Sequence, residues 1–148
     1  MSYASEEVQK IKELLETVNG RLGKSKHNGT GIVVYRRIAS LPVVPLCSGM
    51  KLPNGGDVTE RIAKCSDPAN PCHDGFHLLS ESWELTHRNQ FFAPFPDEAS
   101  RKHAATLAIF GARRMAALLG SMLSDVICIG VLSSSAQVTV YKQGVAVD

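Results

Sequence analysis

Apolar residues recur at helical spacing near the N-terminus. Val8, Ile11, Leu14, Leu15 and Val18 fall on one face. The pattern predicts a helix from about Ser5 to Val18, capped by Ser5. Glu6 and Glu7 suit the positive end of its dipole, and Asn19-Gly20 is the expected stop. Residues Gly23 to Gly31 read as a polar loop. The pattern then changes period. Gly31 to Arg37 carries the run Ile32-Val33-Val34-Tyr35, a strand buried on both faces. Pro42 and Pro45 confine Val43 to Cys47 to a short edge strand or extended arm. Lys51 to Gly56 must turn.

Asp57 with Glu60 three residues on is a capping box. It opens a second helix carrying Val58, Ile62 and Ala63, which stops near Ser66-Asp67-Pro68. Phe76 to Leu79 and Trp83 to His87 read as a hairpin about Ser80-Glu81-Ser82, and Asn89 to Pro96 as a loop. Asp97 caps a long third helix reaching Leu119. Its stripe is Ala104, Leu107, Ala108, Gly111, Met115 and Leu118, and Gly120 ends it. Val126 to Leu132 is the most apolar strand and the expected centre of the sheet. Ser133-Ser134-Ser135 turns the chain, and Val138 to Tyr141 pairs back. Strands alternating with helices predict an α/β fold, a mixed central sheet flanked by helices in a single domain.

Composition narrows the functional classes. The 148 residues suit one core, with 44% hydrophobic and 20% charged residues. A net charge of +2 and sparse aromatics argue against a nucleic-acid surface. No apolar stretch approaches bilayer length, so no membrane partner is expected. The acidic, amphipathic start does not resemble a secretory signal. Cys47, Cys65, Cys72 and Cys128 show no framework spacing, so a reduced, cytoplasmic protein is the simplest account.

Three loops hold the candidate chemistry. The first is Asn70-Pro71-Cys72-His73-Asp74-Gly75-Phe76, where a carboxylate sits beside a glycine at the mouth of a strand. A tight turn entering a strand explains the same residues, since Asp-Gly is a common turn dipeptide. The second is Ser100-Arg101-Lys102-His103, in the opening turns of the long helix. Free amides, a hydroxyl and a forked guanidinium there suit a phosphate. A cap with solvated basic groups explains it equally simply. The third is the serine turn after the apolar strand. Cys65, Cys72, His73 and His77 invite a zinc reading, but the cysteines lie wider apart than structural-site ligands. There is no G-x-S-x-G elbow, no Walker loop and no dinucleotide glycine fingerprint.

From about Thr30 to Gly144 the order of motifs resembles the diadenylate cyclase family, which joins two ATP molecules into cyclic di-AMP. Gly31-Ile32-Val33-Val34 matches its opening strand, and Gly49-Met50-Lys51-Leu52-Pro53-Asn54 its Gly-x-x-Leu-Asp-Ala segment near the adenine. Pro71-Cys72-His73-Asp74-Gly75-Phe76 follows its Pro-x-His-Asp-Gly-Ala turn. Ser100-Arg101-Lys102-His103 corresponds to its Thr-Arg-His-Arg clamp, and Leu132-Ser133 to its Val-Ser turn. The chain thus divides into an N-terminal amphipathic helix over 1–22 and, as the resemblance implies, a nucleotide-binding domain over 30–148. The resemblance implies Asp74 and Arg101 as catalytic residues, and magnesium or manganese held by Asp74 with His73. Leu52, Gly75, Phe76, Ser100, Arg101, His103 and Ser133 would contact ATP or a cyclic dinucleotide. Two active sites would face each other across a homodimer. Phe76 in place of alanine, His103 in place of arginine and Pro53 in place of the acid are departures. They leave room for a cyclase-like domain that senses a nucleotide without turning it over.

Overall fold

The computed structural model describes residues 5–23, 27–109 and 111–147. Its elements are α1 (Glu6–Leu22), β1 (Thr30–Tyr35), a 3-10 turn (Ile38–Ser40), β2 (Val43–Pro45), α2 (Val58–Ser66), β3 (Phe76–Leu79) and β4 (Leu85–Phe92). They continue with α3 (Glu98–Ala105), α4 (Ala112–Gly120), β5 (Val126–Leu132), β6 (Val138–Lys142) and β7 (Val145–Val147). The strands form one open mixed sheet in the order β2-β4-β3-β1-β5-β6-β7. β1 and β3 run parallel, and the other described pairs are antiparallel. The expected α/β class, a mixed sheet with helices against it, is therefore what the chain adopts.

Each face of the sheet has its own core. Ile32, Val34, Leu79, Cys128 and Leu132 pack beneath α1 and α2. Val33, Phe76, Leu78, Phe92 and Ile129 pack beneath Ala117 and Leu118 of α4. Such alternation is what a pleated strand imposes when both faces are covered. Ser5, Asp57 and Asp97 all cap their helices, accepting from the amides of Val8, Glu60 and Ser100. Among the described residues no helix is long and apolar enough to cross a membrane.

Six features differ from the sequence expectation. α1 runs through Asn19-Gly20 because Leu22 continues its buried face, and it stops at Gly23 with φ 70°. β1, buried along its whole length, is the middle strand, and β5 lies beside it. Trp83, with φ 64°, belongs to the hairpin turn, so β4 starts at Leu85. β4 continues across Asn89 to Phe92, because those residues pair with both β2 and β3. The long third helix is two. Thr106 closes α3 by returning its N–H and hydroxyl to the carbonyl of His103. Gly111, at φ 93°, then starts α4. A tight turn at Gln143-Gly144, both left-handed, adds β7 where a single closing hairpin was expected.

One packing contact shapes the later site. Gly31 and Phe76 are register partners on β1 and β3. A Cβ at Gly31 would collide with the Phe76 ring. The glycine leaves the space into which that ring folds, edge-on to Phe92 with centroids 5.4 Å apart. Gly31→Ala should lower stability by about 1–3 kcal/mol through overpacking. The loss should shrink in a Phe76→Ala background, read by urea denaturation of the four proteins in a double-mutant cycle.

Candidate functional site

Parallel pairing brings the starts of β1 and β3 to one end of the sheet. Antiparallel pairing brings the ends of β4 and β5 to the same place. Gly31 aligns with Phe76, Phe76 with Gln90 and Thr30 with Leu132. The loops gathered there carry Asn28, His73, Asp74 and Ser133. α4 arrives with its N-terminal end. Arg113 Nη1 donates to the Asn28 carbonyl at 2.7 Å. Asn28 Nδ2 lies 3.1 Å from His73 Nε2, which is 3.6 Å from Asp74 Oδ1. Asp74 and Arg113 border one cavity of about 280 Å³, whose apolar walls include Leu46, Phe76 and Phe92. Burial pulls the pKa of Arg113 down, and the Asp74 carboxylate works against that shift.

The cavity is cut close to the backbone. Gly75 has φ 87°, and a Cβ there would stand 2.5 Å from the Gln90 carbonyl and 2.6 Å from Leu46 Cδ1. A Cβ at Gly29 would meet the Leu132 carbonyl and stand 2.9 Å from Arg113 Nη1. Both positions need glycine for conformation and for space.

Asn89 fixes the Asp74 turn from below. It sits in a bulge of β4, where Arg88 and Asn89 oppose His77 alone, at φ 47°. Its Nδ2 donates to the Asp74 carbonyl at 2.9 Å and the Cys65 carbonyl at 3.0 Å. Its Oδ1 accepts from Arg88 Nε at 2.8 Å, and its carbonyl accepts from the Leu46 amide at 3.0 Å. Its amide donates to His77 Nδ1 at 3.1 Å. That bond fixes the tautomer of neutral His77, so Nε2 carries the proton and donates to Ser66 Oγ at 3.1 Å. Ser66 in turn reaches the Ile62 carbonyl and Thr30 Oγ1.

The site residues expected from the sequence separate into three groups. Asp74, His73, Gly75 and Phe76 come together, and Ser133 lies at the same sheet end behind Gly29. The Ser133 hydroxyl is used within its own turn, by Ser135 and the Gln137 amide. Leu52 lines a second cleft of about 270 Å³ with Met50, His87 and Arg88, and Gln90 borders both clefts. Ser100, Arg101 and His103 do not join them, which corrects the expected convergence of the acidic turn and the basic helix opening. His103 Nε2 is 2.7 Å from the Gly144 carbonyl, beyond the C-terminal end of α4. Arg101 is exposed, and Lys102 pairs with Glu98 one turn back. The break at Thr106 is the physical cause: it gives α4 its own N-terminus and turns α3 away. The basic group opposite Asp74 is Arg113. Its signal was a glycine before two arginines, Gly111-Ala112-Arg113-Arg114, hidden while the apolar stripe was read as one helix.

The zinc reading also falls away. Cys72 is joined to Cys47 in a disulfide with Cα atoms 6.1 Å apart, so these two cysteines are not reduced. β2 and β3 flank β4, which brings a pair 25 residues apart together without any spacing signature. His77 is buried with both nitrogens engaged. Among the described residues no group of three His, Cys, Asp or Glu converges. No protein-family model and no curated protein matches the chain.

Burial, reinforced by Arg88 and Arg113, pushes the pKa of His77 from 6.5 to about 3. The folded state therefore resists a proton that the unfolded chain accepts below 6.5. Stability should be greatest above that pH and fall as the pH drops from 6.5 toward 3, by about 1.4 kcal/mol per pH unit from this group. Denaturation midpoints of wild type and His77→Gln across that range check it, with the shallower slope expected in the variant.

Proposed function

We propose that the chain is a diadenylate cyclase-like domain that binds ATP or a cyclic dinucleotide in the Asp74–Arg113 cleft. The observation that carries this reading is the pairing itself: a carboxylate turn and a helix-borne guanidinium border one cavity. Arg113 makes one hydrogen bond among the described residues, to Asn28, and has donors left over for an anion. The free amides of α4 add to its attraction for phosphate. By its place beside Asp74, Ala112-Arg113-Arg114-Met115 takes the position of the family's Thr-Arg-His-Arg clamp, although residues 100–103 match more of its residue types. At 112–115 the clamp's first arginine is kept, and its hydroxyl and last arginine are lost.

The donor set fits magnesium or manganese rather than zinc. One carboxylate from the protein, with the rest from phosphate oxygens and water, is an ordinary arrangement for these ions. Asp74 would hold the ion. His73 Nδ1 donates to the Asn70 carbonyl at 2.8 Å, so Nε2 of the neutral ring carries the lone pair. That lone pair is now taken by Asn28, which would have to turn aside for His73 to become a ligand. The bound ion supplies charge neutralisation on the triphosphate. In turnover the ribose 3′-oxygen would bond the α-phosphorus, the bond to pyrophosphate would break, and Asp74 would receive the hydroxyl proton. A second ATP in a facing protomer completes the ring, so the active unit is a homodimer.

A second reading, nucleotide binding without turnover, is favoured by two features. A single arginine borders the cavity, and the Phe76 ring occupies volume that alanine would leave open. Purified protein incubated with ATP and manganese, followed by ion-exchange analysis of the products, decides between them. Cyclic di-AMP should accumulate and should fall about 100-fold or more in Asp74→Asn, as expected for a positioned proton acceptor. Calorimetric titration with ATP should show Arg113→Ala weakened about tenfold or more, the size of lost charge-assisted hydrogen bonds. Arg101→Ala should bind as wild type does. Binding with no product selects the second reading, and no binding of either nucleotide removes both.

A further inference from the structure

The disulfide and the cleft share the same two segments. Cys72 lies two residues before Asp74. Cys47 follows Leu46, whose side chain leans on Gly75 and forms part of the cavity wall. Cys47 also lines the neighbouring cleft with Met50 and Leu52. From Leu46 to Asp57 the chain has neither helix nor strand, and nearly every residue is exposed. Among the described residues its hydrogen bonds to the sheet are two. The Leu46 amide donates to Asn89, and Arg88 Nη1 donates to the Lys51 carbonyl at 3.2 Å. A segment with so little buried surface sits at the low end of local stability. The covalent link to Cys72 is thus the strongest constraint holding this wall against the Asp74 turn.

We propose that the Cys47–Cys72 disulfide is a redox latch on the cleft: closed, it holds the 46–57 loop in place for a nucleotide, and opened by a dithiol, it frees the loop and weakens binding. The part concerning the nucleotide rests on the function proposed above. Cys72 is buried and Cys47 half-buried, which sets the direction of attack. A dithiol thiolate bonds to Cys47 Sγ, the S–S bond breaks, and Cys72 leaves as thiolate. The second thiol of the reductant then displaces Cys47 and closes its own disulfide. Two electrons pass from the dithiol to the protein, and each protein thiolate takes a proton. Cys65 and Cys128 do not compete. Both are buried free thiols whose pKa burial raises, that of Cys128 to about 12.

The test uses the full chain oxidised, reduced with dithiothreitol, and reoxidised. Hydrogen–deuterium exchange without nucleotide reports the loop. Titration with Mg-ATP and with cyclic di-AMP reports the cleft. Reduction should raise exchange across 46–57 and weaken nucleotide binding at least fivefold, with both effects reversed on reoxidation. Cys47→Ser should match the reduced protein under both conditions. The double variant Cys47→Ser/Cys72→Ser guards against mispairing of the remaining thiol and should do the same. Exchange indifferent to reduction overturns the latch, and unchanged exchange with tight ATP binding does so while leaving the nucleotide reading intact. Exchange that responds while affinity does not overturns the coupling to binding. Exchange that responds in a protein binding neither nucleotide in any state supports the latch and overturns the nucleotide reading instead.

Discussion

Asn89 is the residue on which the site end of the molecule rests. Its left-handed backbone lets β4 gain one residue over β3, and so changes which side chains face which layer beyond that point. Its side-chain amide then holds two carbonyls, one at the end of α2 and one in the Asp74 turn. Every hydrogen-bonding group of the residue is engaged. A buried amide with all partners satisfied rigidifies its surroundings, because losing any one partner leaves another polar group stranded. The Asp74 carboxylate is therefore presented from a turn pinned at its backbone, while the carboxylate itself stays exposed, with His73 Nε2 3.6 Å away.

The same network makes the neutral state of His77 a structural requirement. Nδ1 accepts and Nε2 donates, so a second ring proton would confront the Asn89 amide in a dry environment. Two arginines nearby oppose that proton further. Cations therefore influence this core from outside: Arg88 through the bulge and Arg113 from the cleft. Arg113 has the opposite problem, a charge drawn partly out of water. It is stabilised by the Asn28 carbonyl and by Asp74, and an anion in the cleft would add to that stabilisation.

Much of the fold could be read along the chain, because it lies in local signals. Three caps, the 3.6-residue spacing of α1 and the apolar runs of β1 and β5 each depend on neighbours within a few residues. What escaped depends on contacts from elsewhere. Asn89 to Phe92 looks like a loop because a bulge breaks the alternation that marks a strand. The break between α3 and α4 was masked because Gly111 and Met115 happen to fit the stripe of an unbroken helix. That second miss displaced the site. Once the helix is split, the basic residues that open a helix beside Asp74 are Arg113 and Arg114, and 100–103 belongs to another part of the surface.

Phe76 shows how a bulky residue at a crowded strand end can carry its own compensation. An aromatic ring at the mouth of β3 would obstruct a neighbour with any side chain on β1. Here that neighbour is Gly31, and the ring lies in the gap, stacked edge-on against Phe92. The ring is thereby part of the α4-side core and at the same time a wall of the Asp74 cavity. Core volume and cavity volume are consequently coupled at one residue. Shrinking it would enlarge the cleft but remove an aromatic contact from beneath α4, the helix that carries Arg113. The two edges of the cleft are thus not independent. The carboxylate edge hangs from Asn89, the guanidinium edge rides on a helix seated over Phe92 and Ile129, and Phe76 packs between them.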